Sequence, residues 1–473
     1  MSPKVTTLFA CQSCGASSQK WLGRCPECGE WNSYVEEVAT SVPPAPIRPG
    51  EARARSLPEI EARAEDRVVT GLPGLDRVLG GGLVSGSVVL VGGEPGIGKS
   101  TLLLQAARGI AERSREVLYA AGEESADQVR LRADRLGITG DRLLVIAETD
   151  VERIVAEAAG CAPAAVVVDS IQAVRHAGLS SAAGTVSQVR ESAAAFVRYA
   201  KERGVPVLLV GHVTKDGSLA GPKLLEHLVD AVIAIDGERG SSRRILRATK
   251  NRFGAVDEVA LYEMGSRGLE EVANASAALL SERRAGVAGS AVTAAREGSR
   301  SLLVEVQALV GAPIPGSPRR VAIGVDAGRL ALLLAVLERS GLPLASREVF
   351  VSCAGGLEVT EPAADLAVVA ALLSSARGKP LPGSSVFFGE IGLLGEVRRV
   401  SAAPARIREA AALKFENVYL PSRNAREAES AASVALRPVD RVTDLVTELA
   451  LSGPHGSART SSRSGAGPIE SEG

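Results

Sequence analysis

The strongest constraint on this 473-residue chain is one short loop, Gly93-Glu94-Pro95-Gly96-Ile97-Gly98-Lys99-Ser100-Thr101. It follows the apolar run Ser87–Val91 (SVVLV) and leads into the apolar segment LLLQAARGIAE. That is the GxxxxGK[ST] pattern in the strand–loop–helix context it requires. The glycines let backbone N–H groups close on phosphates, and the following helix N-terminus faces them. Lys99 is expected to reach the β- and γ-phosphates and Ser100 to hold Mg²⁺. The loop as a whole, Gly93 to Thr101, then reads as a nucleoside-triphosphate site, and the chain as an NTP-hydrolysing enzyme.

From about Arg67 to Leu269, short Val/Leu/Ile/Ala runs alternate with longer amphipathic segments, which predicts βαβ units and a parallel sheet. Ligands of such sheets bind at the carboxyl ends of the strands. Three further strand ends carry chemistry there. Val117–Ala121 runs into Gly122-Glu123-Glu124-Ser125, Ala164–Val168 into Asp169-Ser170, and Pro206–Val210 into Gly211-His212. Asp169 is the expected partner of Mg²⁺. Glu123 is the first choice for polarising the attacking water and Glu124 the second; nothing in the residue pattern separates them. His212 is either a γ-phosphate sensor or an ordinary strand-end histidine.

Cys11-Gln-Ser-Cys14-Gly15 and Cys25-Pro-Glu-Cys28-Gly29 are two matched CxxCG knuckles. Each places two thiolates at two corners of a tetrahedron, and the glycine after each pair tolerates positive φ. Cys11, Cys14, Cys25 and Cys28 therefore predict a closed, structural Zn²⁺ site, with no position left open for catalytic water. Whether the ribbon merely folds the N-terminus or presents Lys20, Trp21, Arg24 and Trp31 to nucleic acid or protein stays open. The other two cysteines, Cys161 and Cys353, are isolated, which is poor material for a disulfide framework and suits a reducing, cytoplasmic setting. No signal-peptide core or membrane-spanning run is apparent.

These features divide the chain into a four-cysteine ribbon (8–34), a Pro- and charge-rich linker (35–66), an α/β ATPase domain (67–271), a second α/β domain (272–451) and a disordered tail (452–473). Hydrophobic residues at 45% allow a sizeable core. Lys+Arg 54 against Asp+Glu 55 gives a net charge of -1, which excludes a uniformly basic nucleic-acid carpet. The average conceals a local excess. Residues 238–254 carry Arg239, Arg243, Arg244, Arg247, Lys250 and Arg252 against the single acid Glu238, a net of +5.

A glutamate one strand after the phosphate loop resembles the RecA/DnaB/KaiC type of ATPase core. The ribbon CPECGEWN, GGEPGIGKST, AAGEES, VVVDSIQ, GHVTKDGSLAGPKLLEHLVD and Lys250-Asn251-Arg252-Phe253-Gly254 together resemble the bacterial RadA (Sms) family of DNA repair proteins, in order and spacing, over nearly all of residues 8–450. The resemblance implies a RecA-like P-loop core using ATP, Mg²⁺ and Zn²⁺. It further implies a homo-hexameric ring that hydrolyses ATP on single-stranded and branched DNA and processes recombination intermediates by branch migration alongside the RecA recombinase. In that family Lys250 and Arg252 would act on nucleotide at the subunit interface. Lys215 and Lys223, in the Gly-rich segment Thr214–Lys223, are DNA-contact candidates, as is the segment Arg175–Arg190.

Residues 272–451 are similar to the peptidase domain of Lon, through VEVQALV, Gly355-Gly356-Leu357 and FGEIGLLGEV. A peptidase of that kind needs a Ser nucleophile and a Lys base. Here Ala363 stands at the Ser position, and the Lys position falls near Pro404, so the domain is expected to be catalytically inactive. An assembly scaffold is the better expectation, with Arg398, Arg399 and Arg406 as a candidate DNA-binding surface. Two rival readings remain: a KaiC-like signalling or scaffold ATPase, and an ATP-dependent peptidase.

Overall fold

In a computed structural model, the described residues are 5–11, 16–40, 67–212, 224–237, 241–256, 258–297, 300–359, 361–428 and 433–451. The chain folds into two compact units, Met1–Ala278 with Arg296–Arg300, and Leu279–Ala295 with Ser301 onward.

The first unit begins with a small antiparallel sheet of β1 (Val5–Cys11), β2 (Ser17–Ser18) and β3 (Tyr34–Thr40) in the order β2-β1-β3. Residues 35–40, assigned above to the linker, are instead the last strand of this ribbon, with Val5 opposite Thr40 and Cys11 opposite Tyr34. The linker expectation for 41–66 lies outside the described residues, as does that for the tail.

A short pair, β4 (Arg67–Val68) and β5 (Leu83–Val84), brackets α1 (Pro73–Val78). The chain then lays down β6 (Val88–Gly93), α2 (Lys99–Arg113), β7 (Val117–Ala121), α3 (Ala126–Arg135), β8 (Leu143–Ala147), α4 (Val151–Cys161), β9 (Ala165–Asp169), α5 (Val186–Arg203) and β10 (Val207–His212). After it come α6 (Leu224–Leu228), β11 (Ala231–Asp236), β12 (Arg243–Asn251), β13 (Val259–Gly265) and β14 (Gly268–Glu271). The sheet order is β14-β13-β12-β11-β6-β10-β9-β7-β8. All pairs from β11 through β8 are parallel, while β12, β13 and β14 add an antiparallel edge.

Alternation along buried strands explains the two-sided core. Val89 and Val91 of β6 pack with Leu102, Leu103 and Ile110 of α2 on one face. Val88 and Leu90 pack with Ile154 of α4 and with Phe196 and Ala200 of α5 on the other. Both faces of β6 are thus dry, as expected for a central parallel strand. Local signals end the helices where the sheet needs them. Ser125 and Gln128 form a reciprocal capping box on α3, Asp150 accepts from the amides of Glu152 and Arg153 on α4, and Gly204 stops α5 in the left-handed region.

The second unit is also α/β. Its seven-stranded sheet has the order 320–323, 347–353, 300–313, 290–297, 385–387, 417–421 and 435–439. Helix Asp365–Arg377 is buried from Asp365 to Ser374. Ala363 lies just before it and is itself buried, so a methyl group occupies the position at which a nucleophile was sought. Arg406 corrects the surface reading given above. It is 0% exposed; its guanidinium makes two 2.7 Å bonds to the Glu361 carboxylate, donates to Ala294 O, and sits 5.8 Å from the Phe388 ring centroid. A helical pattern alone did not reveal that this cation faces inward, because its partner lies 45 positions away. Arg398 is paired with Glu396 and Arg399 with Glu427.

Removing one partner of a buried pair leaves an uncompensated charge. Glu361→Ala is therefore expected to destabilise the second unit by about 3–5 kcal/mol. Thermal unfolding and amide exchange of the helix Ala403–Ala412 in the full chain check this; unchanged protection there would refute it.

Candidate functional site

Parallel pairing brings the chemistry to one edge. Gly93 pairs with His212, and Ala121 pairs with Asp169, so the ends of β6, β7, β9 and β10 are aligned. Asp169 is the last residue of β9 rather than the first after it, a one-residue shift from the expected strand. The backbone of His212 closes β10 beside the phosphate loop; its side chain lies outside the described residues.

The loop turns through Gly96 and Gly98, both at positive φ. At Gly98 the φ of 116° is what favours glycine, and a Cβ there would also displace the flexible end of the Met264 side chain. Lys99 opens α2, is 95% removed from solvent, and donates to Gly93 O at 2.8 Å and Glu94 O at 3.0 Å. Burial pulls its pKa below the ordinary lysine value, and the charges of Asp169 and Glu123 oppose that shift. The ammonium is thus held among carbonyls and carboxylates at the N-terminus of a 15-residue helix, with Ser100 and Thr101 in that helix's first turn. Arg244 of β12 supports the loop from behind by donating to Ile97 O at 3.0 Å.

The carboxylates are distinguished by their partners. Glu123 accepts from the Ser170 hydroxyl, in the segment that follows Asp169. Glu124 accepts from Arg132 Nη2. Asp169 Oδ2 accepts from the Tyr119 hydroxyl at 2.5 Å, and Arg132 Nη1 lies 3.9 Å from the same oxygen. Burial, then the Asp169 charge, pushes the Tyr119 phenol well above its usual pKa, so it stays a donor. Tyr119 and Arg132 were not singled out in the sequence, Ser170 was named only as the residue after Asp169, and Arg244 only within the basic run 238–254. Tyr119 shares a strand face with Ala121, whose partner is Asp169, so register was its only signal. Ser100 and Asp169 provide oxygen donors of the kind Mg²⁺ prefers, next to a phosphate loop.

Lys250 lies in β12 and Arg252 just beyond it. Lys250 Nζ donates to Glu226 O and, at 2.7 Å, to Val229 O. Arg252 donates to the buried Asp230 at 3.2 Å, and Asp230 also accepts from Val88 N at 3.0 Å. Both cations therefore meet acceptors of their own chain around the end of α6. Lys215 and Lys223 lie outside the described residues. Of the other candidate segment, Arg175 is exposed and Arg190 lies 3.9 Å from Glu191.

In the ribbon, the Sγ atoms of Cys11, Cys25 and Cys28 all fall within 4.8 Å of one another, and Cys11 Sγ is 3.7 Å from Cys28 Sγ. A tetrahedral Zn²⁺ with arms of roughly 2.3 Å has S–S edges of roughly 3.8 Å, so this spacing fits the ion. Gly29 takes φ of 77° and donates to Cys25 O at 2.9 Å, closing the knuckle. Cys14 lies outside the described residues. Trp21 and Trp31 are 53% and 66% exposed, with Arg24 over the Trp31 ring. Residues 5–40 hold two cations, Lys20 and Arg24, against four acids, Glu27, Glu30, Glu36 and Glu37, a net of -2.

Residues 9–36 match the rubredoxin metal binding domain family and residues 54–218 an AAA domain family. A DNA repair protein RadA from Halalkalibacterium halodurans is 50% identical over 89% of this chain and 93% of its own length. The chain belongs to the RadA family. Further members, the RadA proteins of Bacillus subtilis and Escherichia coli, are 49% and 47% identical, covering 89% and 88% of this chain and 93% and 92% of their own. Two solved structures, a KaiC-like protein from Pyrococcus horikoshii and the RadB recombinase, match 44% and 43% of the chain and 98% and 99% of their own, at 21% and 23% identity with TM-scores of 0.37 and 0.36. Among the described residues no helix is long and apolar enough to cross a membrane.

The thiolate spacing generates a direct test. Purified protein is expected to carry one zinc per chain by elemental analysis, and Cys28→Ala to lose it together with amide protection of β1 and β3, while the ATPase core keeps its own protection. Full zinc occupancy in Cys28→Ala would overturn the assignment.

Proposed function

We propose that this RadA-family chain is a DNA-stimulated ATPase of homologous recombination, working as a homo-hexameric ring that drives branch migration of recombination intermediates alongside a RecA-type recombinase. The observation that carries the hydrolytic part is the meeting of Lys99, Glu123 and Asp169 at one sheet edge. Lys99 is linked electrostatically to both carboxylates, and Glu123 is fixed by Ser170.

In this reading the amides of residues 96–101 and the N-terminus of α2 hold the triphosphate, and Lys99 exchanges its carbonyl partners for β- and γ-phosphate oxygens. Mg²⁺ supplies charge neutralisation when bound, with Ser100 and Asp169 as its protein ligands. Glu123 orients the attacking water and takes its proton. Glu124, held by Arg132, is the less suited of the two. Positioning and electrostatics carry most of the rate in phosphoryl transfer, so the groups need little covalent chemistry of their own. Lys250 and Arg252 leave their in-chain acceptors to reach nucleotide in the neighbouring subunit, and His212 senses the γ-phosphate. Lys215 and Lys223 contact the DNA backbone without reading sequence, which makes binding salt-sensitive. The second domain, without nucleophile or base, holds the ring. All of this takes place in the cytoplasm.

ATP turnover measured with and without single-stranded DNA at two salt concentrations tests the reading. Turnover is expected to rise with DNA, and the rise to shrink at high salt. Turnover indifferent to DNA would favour a signalling ATPase, and degradation of an unfolded protein substrate would restore the peptidase. Lys99→Ala is expected to lower turnover to background. Lys250→Ala is expected to reduce turnover or its DNA stimulation while zinc content is retained; wild-type behaviour in both assays would remove the interfacial role.

A further inference from the structure

We infer that Arg132 is a positioning residue that divides labour among the three carboxylates of the site, by holding Glu124 away from the attacking water and one oxygen of Asp169 on the protein side. The inference rests on the ATPase reading above.

Arg132 sits two turns into α3, whose start is fixed by the Ser125–Gln128 capping box. Helical side chains lean toward the N-terminus of their helix, so this guanidinium reaches back over the cap to the residue just before it. Its Nη2 donates to Glu124 Oε1. Its Nη1 is buried without a hydrogen bond and lies 3.9 Å from Asp169 Oδ2. That distance is too long for a hydrogen bond and too short to admit a bridging water, leaving a direct charge contact. The Arg132 side chain is only 18% exposed and that of Asp169 12%, so the contact is screened little by solvent.

A planar fork has the geometry to span two carboxylates, which a lysine ammonium lacks. Asp169 Oδ2 is then addressed from two sides, by the Tyr119 hydroxyl and by Arg132, which turns the other oxygen over to the metal. Glu123 accepts from the Ser170 hydroxyl, in the segment that follows Asp169. The two adjacent glutamates, equivalent in the sequence, thus acquire different roles because Glu124, next to the helix cap, is bonded by Arg132 two turns on, while Glu123 is bonded by Ser170.

Removing Arg132 has a specific consequence. Glu124 is released beside Asp169, adding a competing ligand for Mg²⁺ and a second acceptor for the water's proton. Deleting the Glu124 charge in the same chain should then undo the damage. Turnover and the Mg²⁺ dependence of binding a fluorescent ATP analogue are measured for wild type, Glu123→Gln, Glu124→Gln, Arg132→Ala, Arg132→Lys and Arg132→Ala/Glu124→Gln.

Glu123→Gln should lower kcat by about 100-fold or more, as loss of a general base does, and more than Glu124→Gln. Arg132→Ala should lower kcat by roughly 10- to 100-fold while half-saturating Mg²⁺ for analogue binding falls severalfold. Arg132→Lys should keep near-normal Mg²⁺ dependence with reduced kcat. The double variant should recover kcat and Mg²⁺ dependence toward wild type. Losses that simply add in the double variant, or abolition of turnover by Glu124→Gln rather than Glu123→Gln, would overturn the assignment while leaving the ATPase reading intact. A wild-type protein that hydrolyses no ATP would remove both.

Discussion

Everything at the nucleotide edge depends on how a buried ammonium is tolerated. Lys99 is desolvated at the start of α2, where the helix N-terminus is itself a centre of partial positive charge. An ammonium there needs close acceptors, and it has them in Gly93 O and Glu94 O, with Asp169 and Glu123 supplying opposite charge nearby. The parallel sheet is what delivers those acids, because only parallel pairing aligns the ends of β6, β7 and β9. The site is therefore a balanced charge arrangement before any nucleotide enters. A triphosphate replaces the carbonyls with stronger acceptors and finds the cation already placed.

The same logic orders the neighbouring carboxylates. Acids crowded at one sheet edge repel one another and need distinct partners. Here each has one: a serine hydroxyl for Glu123, an arginine for Glu124, and a tyrosine hydroxyl for Asp169. Tyr119 is fully buried and the Arg132 side chain largely shielded, which makes these partners features of the scaffold more than adaptable surface contacts.

Much of this was legible in the residues. The phosphate loop, the alternating strands and the paired CxxCG knuckles are local patterns with a direct physical reading. Strand boundaries came within a residue or two, and Asp169, Glu123 and Lys99 are close together because strand order is constrained by the α/β topology. What escaped were interactions between side chains distant in sequence. Arg406 meets Glu361 across 45 positions and Arg244 meets Ile97 across 147, and no period or spacing encodes either pair. The end of the ribbon escaped for a different reason. Residues 35–40 (VEEVAT) place two adjacent glutamates inside a short strand, so their alternation is broken and they resembled the charged linker that follows.

The cationic run around β12 acquires a more exact meaning from its acceptors. Arg243 donates to Ala278 O, Arg244 to Ile97 O in the phosphate loop, Arg247 pairs with Asp236, Lys250 bonds the carbonyls of Glu226 and Val229, and Arg252 pairs with Asp230. Charge counting along the sequence showed these residues only as a local excess of positive charge. In the fold they are distributed along a strand whose first residues grip the back of the nucleotide loop and whose last residues grip the end of α6. The register of this strand is fixed by antiparallel ladders to β11 and β13. The phosphate loop and the end of α6 are thus both bonded to β12, one near its start and the other near its end. The local excess of positive charge serves first to fasten that strand: Arg247 and Arg252 meet the acids Asp236 and Asp230, while Arg243, Arg244 and Lys250 donate to backbone carbonyls.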